Sequence, residues 1–359
     1  MKLLKRLSLA TLLFLPVLLF SQASITTKEK AAIMEGVKAQ IEANFVFIDR
    51  IESTNRSIDS LYNTGKYADI SDYKDFATTF TADLVIITRD KHFALVYNPG
   101  LIASRRAWRE RANQEEEEEV EEEEEYIDWN LWYAQKENFG FEKVEILDGN
   151  VGYIKFDFWQ PLQWVQATMD ATMSFVGHTD ALIIDLRENG GGYSPSDSYL
   201  GSYFLEGEPI LWSSSYNRRT DEFSSDSTFS EVGGARYLDK PLYILVGENT
   251  FSLAEKFAYC LKHFGRATIV GQTSAGAAHA IDFLEVDDNY GVQVPVMYNI
   301  HPVTKTDWEG TGVIPHIKTE KEDTLKEAYR QALDHLIEQS DYEKMTNRYR
   351  EIKATLNNK

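Results

Sequence analysis

The sequence predicts an α/β protein with a parallel sheet in its core, and three consecutive segments carry this prediction. Leu242–Val246 is a continuous apolar run, which is typical of a strand covered on both faces. Residues 252–263 follow with apolar side chains at helical spacing, and Gly265 ends that helix. Residues 267–270 form the next strand. Strand, helix and strand in this order indicate parallel neighbours.

The elements on either side fit the same architecture. Alternation predicts a strand over 150–158, and residues 162–176 carry apolar side chains at helical spacing. A further strand covers 181–186. Two strands, 282–286 and 292–296, form a hairpin through Tyr290-Gly291, and 325–336 is expected to be the final helix of a catalytic domain over residues 127–340. Residues 341–359 are left as a C-terminal tail.

Residues 25–105 are predicted to form a small helical cap domain. Ile33, Val37, Ile41 and Phe45 lie at i, i+4 spacing and indicate one helix, and a second apolar stripe runs from Tyr73 to Leu84. A β-rich stretch is expected next, over 84–87 and 93–97.

The first residues predict export. A basic start is followed by an apolar run from Leu7 to Phe20 and by small residues, so residues 1–23 are expected to be a signal peptide cleaved near Ala23. The run is shorter than a membrane span requires, and no cysteine follows it to carry a lipid. The mature protein is therefore expected in the periplasm or outside the cell, without a stable membrane anchor.

Composition excludes several classes of function. The formal net charge of −20 disfavours a nucleic-acid partner, because phosphate binding requires a positive surface. The only cysteine, Cys260, permits no internal disulfide and no cysteine metal cage, and it is expected to be an inert core residue. No phosphate-binding glycine loop of the nucleotide type is present, and no cofactor or metal is predicted.

Ten of the negative charges occur in one block, over Glu115–Glu119 and Glu121–Glu125. Such a block repels itself and stays solvated, which predicts a flexible acidic linker over residues 106–126. Cation binding and a role as a docking segment are the alternatives.

Ser252 has two interpretations at the sequence level. It follows an apolar strand and a short turn at the start of a helix, so its hydroxyl would lie at the carboxyl end of the sheet, where α/β sites form. The free N–H groups of a helix start favour an oxyanion beside it. Ser252 with Glu255 is also a capping box, which is a purely structural role.

A second candidate element is the glycine turn Asn189-Gly190-Gly191-Gly192, which follows a strand. Three glycines let the backbone approach a ligand closely and present N–H groups to an anion. A plain turn is the structural alternative.

Three segments in order, 185–192, 250–258 and 265–276, resemble the tail-specific, or carboxy-terminal processing, serine peptidase family. The segment beginning Asn138-Phe139-Gly140-Phe141 points to a branch that includes the modules of interphotoreceptor retinoid-binding protein and the tricorn protease core. The resemblance covers essentially all of the mature chain. It implies the ββα spiral fold shared with Clp protease and crotonase.

The resemblance also implies site residues. Ser252 would be the nucleophile, and the oxyanion hole would be the backbone N–H of Leu253 with that of Gly191 or Gly192. The processing-peptidase branch takes its base from a lysine at a position that is Ala277 here, so a serine–lysine dyad is excluded there.

In the retinoid-binding and tricorn branch the base is a histidine in an Asp-x-His segment, which matches His92 here. Glu309, before Gly-x-Gly-Val, matches the glutamate expected to orient that histidine, and Asp307 is the second choice. Lys91 and His316 depart from the family pattern, so the route from Glu309 to His92 stays open. His279 matches a position near the site and is assigned as a possible substrate contact.

The expected activity is hydrolysis of peptide bonds in a peptide or protein substrate, through an acyl-enzyme on Ser252. The alternative is a non-catalytic carrier of apolar, retinoid-like or lipid-like ligands on the same fold. Crotonase-type chemistry on a coenzyme-A thioester fits the fold but not export. The sequence predicts neither the oligomeric state nor the cleavage specificity.

Overall fold

The structure is a computed structural model that describes residues 24–115 and 128–356. The predicted signal peptide and most of the acidic run lie outside the described residues. The helices and strands are, in chain order, α1 Thr27–Asn44, α2 Ile48–Asn63, α3 Tyr73–Thr88, β1 Ala94–Tyr97, α4 Pro99–Glu115, α5 Trp129–Lys136, β2 Phe141–Leu147, β3 Val151–Phe156, α6 Leu162–Val176, β4 Ala181–Asp185, α7 Ser196–Ser202, β5 Leu211–Asn217, β6 Glu222–Ser227, β7 Leu242–Val246, α8 Leu253–His263, β8 Thr268–Gly271, β9 Ala280–Glu285, β10 Tyr290–Ile300, β11 Ile317–Lys318, α9 Thr324–Gln339 and α10 Glu343–Leu356.

The larger sheet has the order β11-β8-β7-β4-β3-β2, and all its neighbours are parallel except β2 and β3. Successive side chains of a strand point to opposite faces, so β4 and β7 supply two cores. Ile184 and Ile244 pack with residues of α6 and α8, whereas Ile183 and Leu245 pack with residues of α9 and α10. The predicted α/β core is confirmed, and its central strands are buried on both faces.

The smaller sheet has the order β1-β10-β5-β6, with β9 also paired to β10. Its strand β1 comes from the N-terminal helical region and pairs antiparallel with β10, so that Ala94 lies opposite Gln293. A core of Phe76 and Phe80 from α3 with Val292 and Val294 from β10 seals this contact. The helical N-terminal region is confirmed, and it shares a sheet and a core with the later part of the chain.

The structure corrects the prediction of a strand over 84–87. α3 begins after Asp72, whose side chain caps the helix by accepting the N–H groups of Lys74 and Asp75 at 2.7 and 3.0 Å, and it continues to Thr88. From that start the buried stripe of α3 continues at i, i+4 spacing, and packing outweighs the strand preference of a β-branched run.

The domain boundaries from the sequence remain predictions, but one of them falls inside a helix, and the predicted tail contains another helix. The expected start of the acidic linker at residue 106 falls inside α4, which continues to Glu115. The expected C-terminal tail contains α10, so 325–336 does not form the final helix. Among residues 24–115 and 128–356, no helix combines the length and the apolar character needed to span a bilayer.

The double burial of β7 makes a stability prediction. Ile244 is fully buried, so Ile244→Ala should lower the free energy of unfolding by about 2–5 kcal/mol, through lost burial and the cavity that remains. Urea unfolding followed by circular dichroism measures this change. Ile86 is 73% exposed, and Ile86→Ala should change the stability by no more than about 0.5 kcal/mol. Equal losses in both variants would contradict the assignment of the core.

Candidate active site

Ser252 lies at the end of a turn that several hydrogen bonds hold in place. The Thr250 hydroxyl donates to the carbonyl of Leu186 at 2.7 Å and accepts the N–H of Gly247 at 2.9 Å. The N–H of Phe251 donates to the carbonyl of Asn189 at 3.0 Å. Ser252 has φ 53° and ψ −117°, a conformation that a non-glycine residue keeps only where its surroundings enforce it. Such strain is typical of functional turns.

The carboxylate of Glu255, a residue in the first turn of α8, holds the turn that carries Ser252 by hydrogen bonds. One oxygen accepts the N–H of Ser252 at 3.0 Å and that of Ala277 at 2.9 Å. The other accepts the Ser274 hydroxyl and the N–H of Gly276, both at 2.6 Å. Burial raises the pKa of Glu255, and these four hydrogen bonds oppose the shift. The backward contact to Ser252 predicted from the capping box is confirmed.

The glycine turn packs directly against Ser252. A Cβ on Gly191 would lie 2.8 Å from the Ser252 Cβ, and one on Gly192 would lie 2.0 Å from the Trp159 carbonyl oxygen. Gly191 has φ 95° and Gly192 has φ 145°, so side chains are excluded here by both space and backbone conformation.

The backbone donors of this region distinguish between the two glycines. The N–H of Gly191 donates to the Asn189 side chain at 3.0 Å and is therefore engaged. Within the described parts of the chain, the N–H groups of Gly192 and Leu253 have no acceptor, and both residues line the cavity beside Ser252. The oxyanion hole expected from the sequence is thus best matched by Gly192 and Leu253.

Among the described residues, His92 lies beside the turn that carries Ser252 without a hydrogen bond to it. Its ring contacts that of Phe251 edge-on, with 4.8 Å between the ring centres. The ring is buried, and neither of its nitrogens has a hydrogen-bond partner among the described residues. The Asp90 carboxylate accepts the backbone N–H of His92 at 2.9 Å and lies 3.4 Å from its Nδ1.

His279 lies between the carboxylates of Asp90 and Glu309. The Nδ1 of His279 lies 2.5 Å from Oδ2 of Asp90 and 3.5 Å from Oε2 of Glu309. Glu309 makes no ion pair with His92 among the described residues, because the N–H of Ala278 holds its Oε2 at 2.6 Å, next to His279. The carboxylate beside His92 is that of Asp90.

Two consequences follow for the residues selected from the sequence. Glu309 and His92 lie in one cluster, but Asp90 and His279 stand between them. From the sequence, no role is assigned to Asp90, although this residue is the aspartate of the Asp-x-His segment. His279 lines the cavity, as a substrate contact would, and also belongs to this cluster.

The cluster perturbs the pKa values of its members. Burial raises the pKa of Glu309 to about 7; the charges of Asp90 and Asp307 add to this rise, and His279 opposes it. Burial alone would lower the pKa of His279, but the hydrogen bond to Asp90 and the surrounding carboxylates raise it. Burial opposes ionisation of Asp90, yet its contacts with His279 and His92 hold its pKa well below the usual value. Both raised pKa values favour the protonated forms of Glu309 and His279 beside the ionised Asp90.

Ligand atoms of Asp90, His279 and Glu309 lie within 4.8 Å of one another, so their types and spacing could hold a metal ion. Hydrogen bonds already engage Nδ1 of His279 and Oε2 of Glu309. Oε1 of Glu309 is buried and has no hydrogen-bond partner among the described residues, and the absence of a metal requirement stays a prediction.

A cavity of about 340 Å³ opens beside Ser252. Lys256, one helical turn further along α8, is the buried cation in its wall. Burial would lower the pKa of Lys256, but the charges of Asp197 and Asp226 outweigh it and raise the pKa, so this lysine stays protonated and is no base. Ala277, at the position of the family lysine, is fully buried.

Two family models match the chain. The model of peptidase family S41 matches residues 150–319, and a model described as the N-terminal domain of peptidase S41 in eukaryotic IRBP matches residues 23–129. Curated relatives include carboxyl-terminal-processing peptidase 2, chloroplastic, of Arabidopsis thaliana, 27% identical over 46% of this chain and 31% of its own length. The tail-specific protease of Haemophilus influenzae is 27% identical over 38% of this chain and 18% of its own length. The chain thus spans about a third or less of these relatives.

Solved structures share the fold. A candidate peptidase from Parabacteroides merdae aligns over 85% of this chain and 96% of its own, with 15% identity and a TM-score of 0.57. A lipoprotein from Streptococcus agalactiae aligns over 91% of this chain and 100% of its own, with 10% identity and a TM-score of 0.50. The two family models together cover most of the described residues, and the chain therefore belongs to peptidase family S41.

Proposed function

We propose that this chain is a serine peptidase in which Ser252 attacks the carbonyl carbon of a peptide bond. One observation carries the proposal: Ser252 and the two unpaired N–H groups of Gly192 and Leu253 line the same cavity. An oxyanion formed by attack from Ser252 would therefore develop beside two fixed donors, which is the largest single source of rate in acyl transfer.

His92 is the proposed general base. Its unpartnered ring nitrogens and its contact with Phe251 leave it able to reach the neighbouring serine when substrate binds, since catalytic hydrogen bonds often tighten only in the complex. The imidazole takes the hydroxyl proton as the Ser252 oxygen bonds to the carbonyl carbon, and it returns that proton to the leaving amine. Water then repeats the sequence on the acyl-enzyme and releases the acid.

Asp90 and His279 supply the proposed link between Glu309 and the base. Asp90 has one oxygen near His92 and the other on His279, whose Nδ1 also faces Glu309. The ionised Asp90 carboxylate orients His92 and stabilises its protonated form, and His279 holds Asp90 in place. Glu309 acts on the base indirectly, through His279 and Asp90, as the orienting acid of the cluster.

The substrate is a peptide or protein, and the protein acts outside the cytoplasm. The basic and apolar leader before residue 24 supports export. A carrier of apolar ligands is the second candidate: Ala280, Met297 and Trp308 give the cavity an apolar wall, but Asp226 and Lys256 place two charged groups in the same cavity.

A fluorophosphonate probe tests the nucleophile. It should label the wild-type protein at Ser252, and Ser252→Ala should lose both the label and peptide hydrolysis while keeping the unfolding midpoint. Ser230, an exposed serine elsewhere in the chain, provides the control, since Ser230→Ala should keep both activities. A folded wild-type protein that never becomes labelled and hydrolyses no peptide would refute the proposal.

Two histidine variants test the assignment of the base. His92→Ala should lower kcat/KM by about 10²–10⁴-fold through loss of the general base. His279→Asn should lower it less, by about tenfold, and should displace the acidic limb of the pH–rate profile, because His279 acts through Asp90. His335→Ala, at an exposed histidine of α9, should change neither quantity. A larger fall in kcat/KM for His279→Asn than for His92→Ala would contradict the assignment and indicate His279 as the general base.

The raised pKa of Glu309 predicts a pH-dependent stability. Between about pH 4.5 and 7 the unfolded chain releases the Glu309 proton and the folded protein retains it, so the wild type loses stability as pH rises through this window. The difference in unfolding free energy between Glu309→Gln and wild type should therefore move in favour of Gln by about 2 kcal/mol from pH 5.5 to pH 8. Urea unfolding at both pH values measures it. The same exchange at exposed Glu322 is the control, and an equal shift there would contradict the assignment.

A further inference from the structure

The cavity beside Ser252 contains a charged group that the proposed chemistry does not use. Asp226, on β6, lines the cavity together with Lys256 and with the hydroxyls of Ser194, Ser215 and Ser224. We propose that this part of the cavity binds a basic side chain of the peptide substrate, lysine or arginine, with Asp226 as its counter-ion. The inference deepens the proposed function by naming a substrate class, and it rests on that function.

The balance of charge decides between a cationic and an anionic ligand. The Lys256 ammonium lies 2.7 Å from Oδ2 of Asp226 and 3.4 Å from Oδ2 of Asp197. Two carboxylates beside one ammonium leave one net negative charge. Asp197 is fully buried and also accepts the Trp212 indole N–H at 2.7 Å, so its charge is enclosed by the protein. The remaining charge is exposed to the cavity through Asp226.

Asp226 is available to a ligand, and Lys256 is not. The Asp226 side chain is 38% exposed, whereas that of Lys256 is 5% exposed. Within the described residues only Oδ2 of Asp226 accepts hydrogen bonds, so Oδ1 is free to accept a donor that enters the cavity. An incoming anion would instead meet an ammonium already paired with two carboxylates.

The rest of the wall suits a long side chain with an apolar stem. Ala280, Met297 and Trp308 line the cavity beside Ser252, and Ser215 and Ser224 lie on the neighbouring strands β5 and β6 near Asp226. Lysine and arginine bury their methylene stems against apolar surface and keep the charged end in a polar environment. The lining of the cavity supplies all three: an apolar wall, hydroxyls and a carboxylate.

The charge of the whole chain acts in the same direction. A formal net charge of −20 attracts basic peptides and disfavours acidic ones at low ionic strength. This effect raises the encounter rate, whereas Asp226 would select the residue next to the cleaved bond. Added salt should weaken the long-range attraction by the net charge more than the close contact with Asp226.

The test uses fluorogenic peptides that differ only in the residue before the cleaved bond, arginine or its neutral analogue citrulline. In the wild type, kcat/KM for arginine should exceed that for citrulline by at least about tenfold, and in Asp226→Asn the ratio should fall close to one. The ratio is measured within one protein, so a loss of stability in the variant cancels. Glu222→Gln, an exposed carboxylate on the same strand, should retain the wild-type ratio.

A binding measurement on Ser252→Ala separates the two proposals. Peptides ending in arginine or citrulline are titrated into this variant by calorimetry, and the arginine peptide should bind about tenfold more tightly whether or not the wild type cleaves peptides. Equal binding, tighter citrulline binding or a preference for peptides ending in glutamate would each overturn the assignment of Asp226. A wild-type protein that is never labelled at Ser252 would refute the proposed peptidase activity and leave the assignment of Asp226 as a binding group in place.

Discussion

The buried Glu255 carboxylate is the interaction on which the geometry of the site depends. It accepts four hydrogen bonds, one from the nucleophile turn and three from the segment 274–277. A buried carboxylate without donors would be strongly destabilising, so its position and those of the four donors are fixed together. The segment it fixes leads directly into Ala278 and His279, and Ala278 in turn positions Glu309. One side chain thus couples the strained serine to the acidic cluster.

The second constraint is the strand pairing that brings the N-terminal region to this cluster. Asp90 and His92 immediately precede β1, and β1 pairs with β10. The position of His92 relative to Ser252 therefore depends on sheet register and on the shared core, because a shift by one residue would turn every side chain of β1 to the other face. His92 and Ser252, the proposed base and the proposed nucleophile, are separated by 160 residues in the chain, and the pairing of β1 with β10 places the segment of His92 beside the turn that carries Ser252.

The α/β core could be predicted because its signals are local. Leu242–Val246 matches β7 as predicted. The helix after Ser252 differs from its prediction by one residue at its start, and the strand after Gly265 is shifted by one residue at both ends. Leu84–Ile87 was assigned wrongly, because preference within four residues gave no measure of how α3 packs. β5 and β6 were not predicted, since their serine-rich sequence alternates without an apolar face and depends on pairing with β10. The candidate site was found as a set of residues, but its connections through Asp90 and His279 are tertiary contacts that carry no sequence spacing.

The shared sheet between β1 and β10 has a further consequence for the integrity of the molecule. The segment between residues 115 and 128 joins two parts that are already bound by backbone hydrogen bonds and by a common core. Cleavage there by another protease would cut the covalent chain and leave the fragments associated as a noncovalent pair. Two polypeptides expressed separately on either side of this segment should likewise assemble by complementation. The sheet and the common core therefore join these two parts independently of the covalent chain between them.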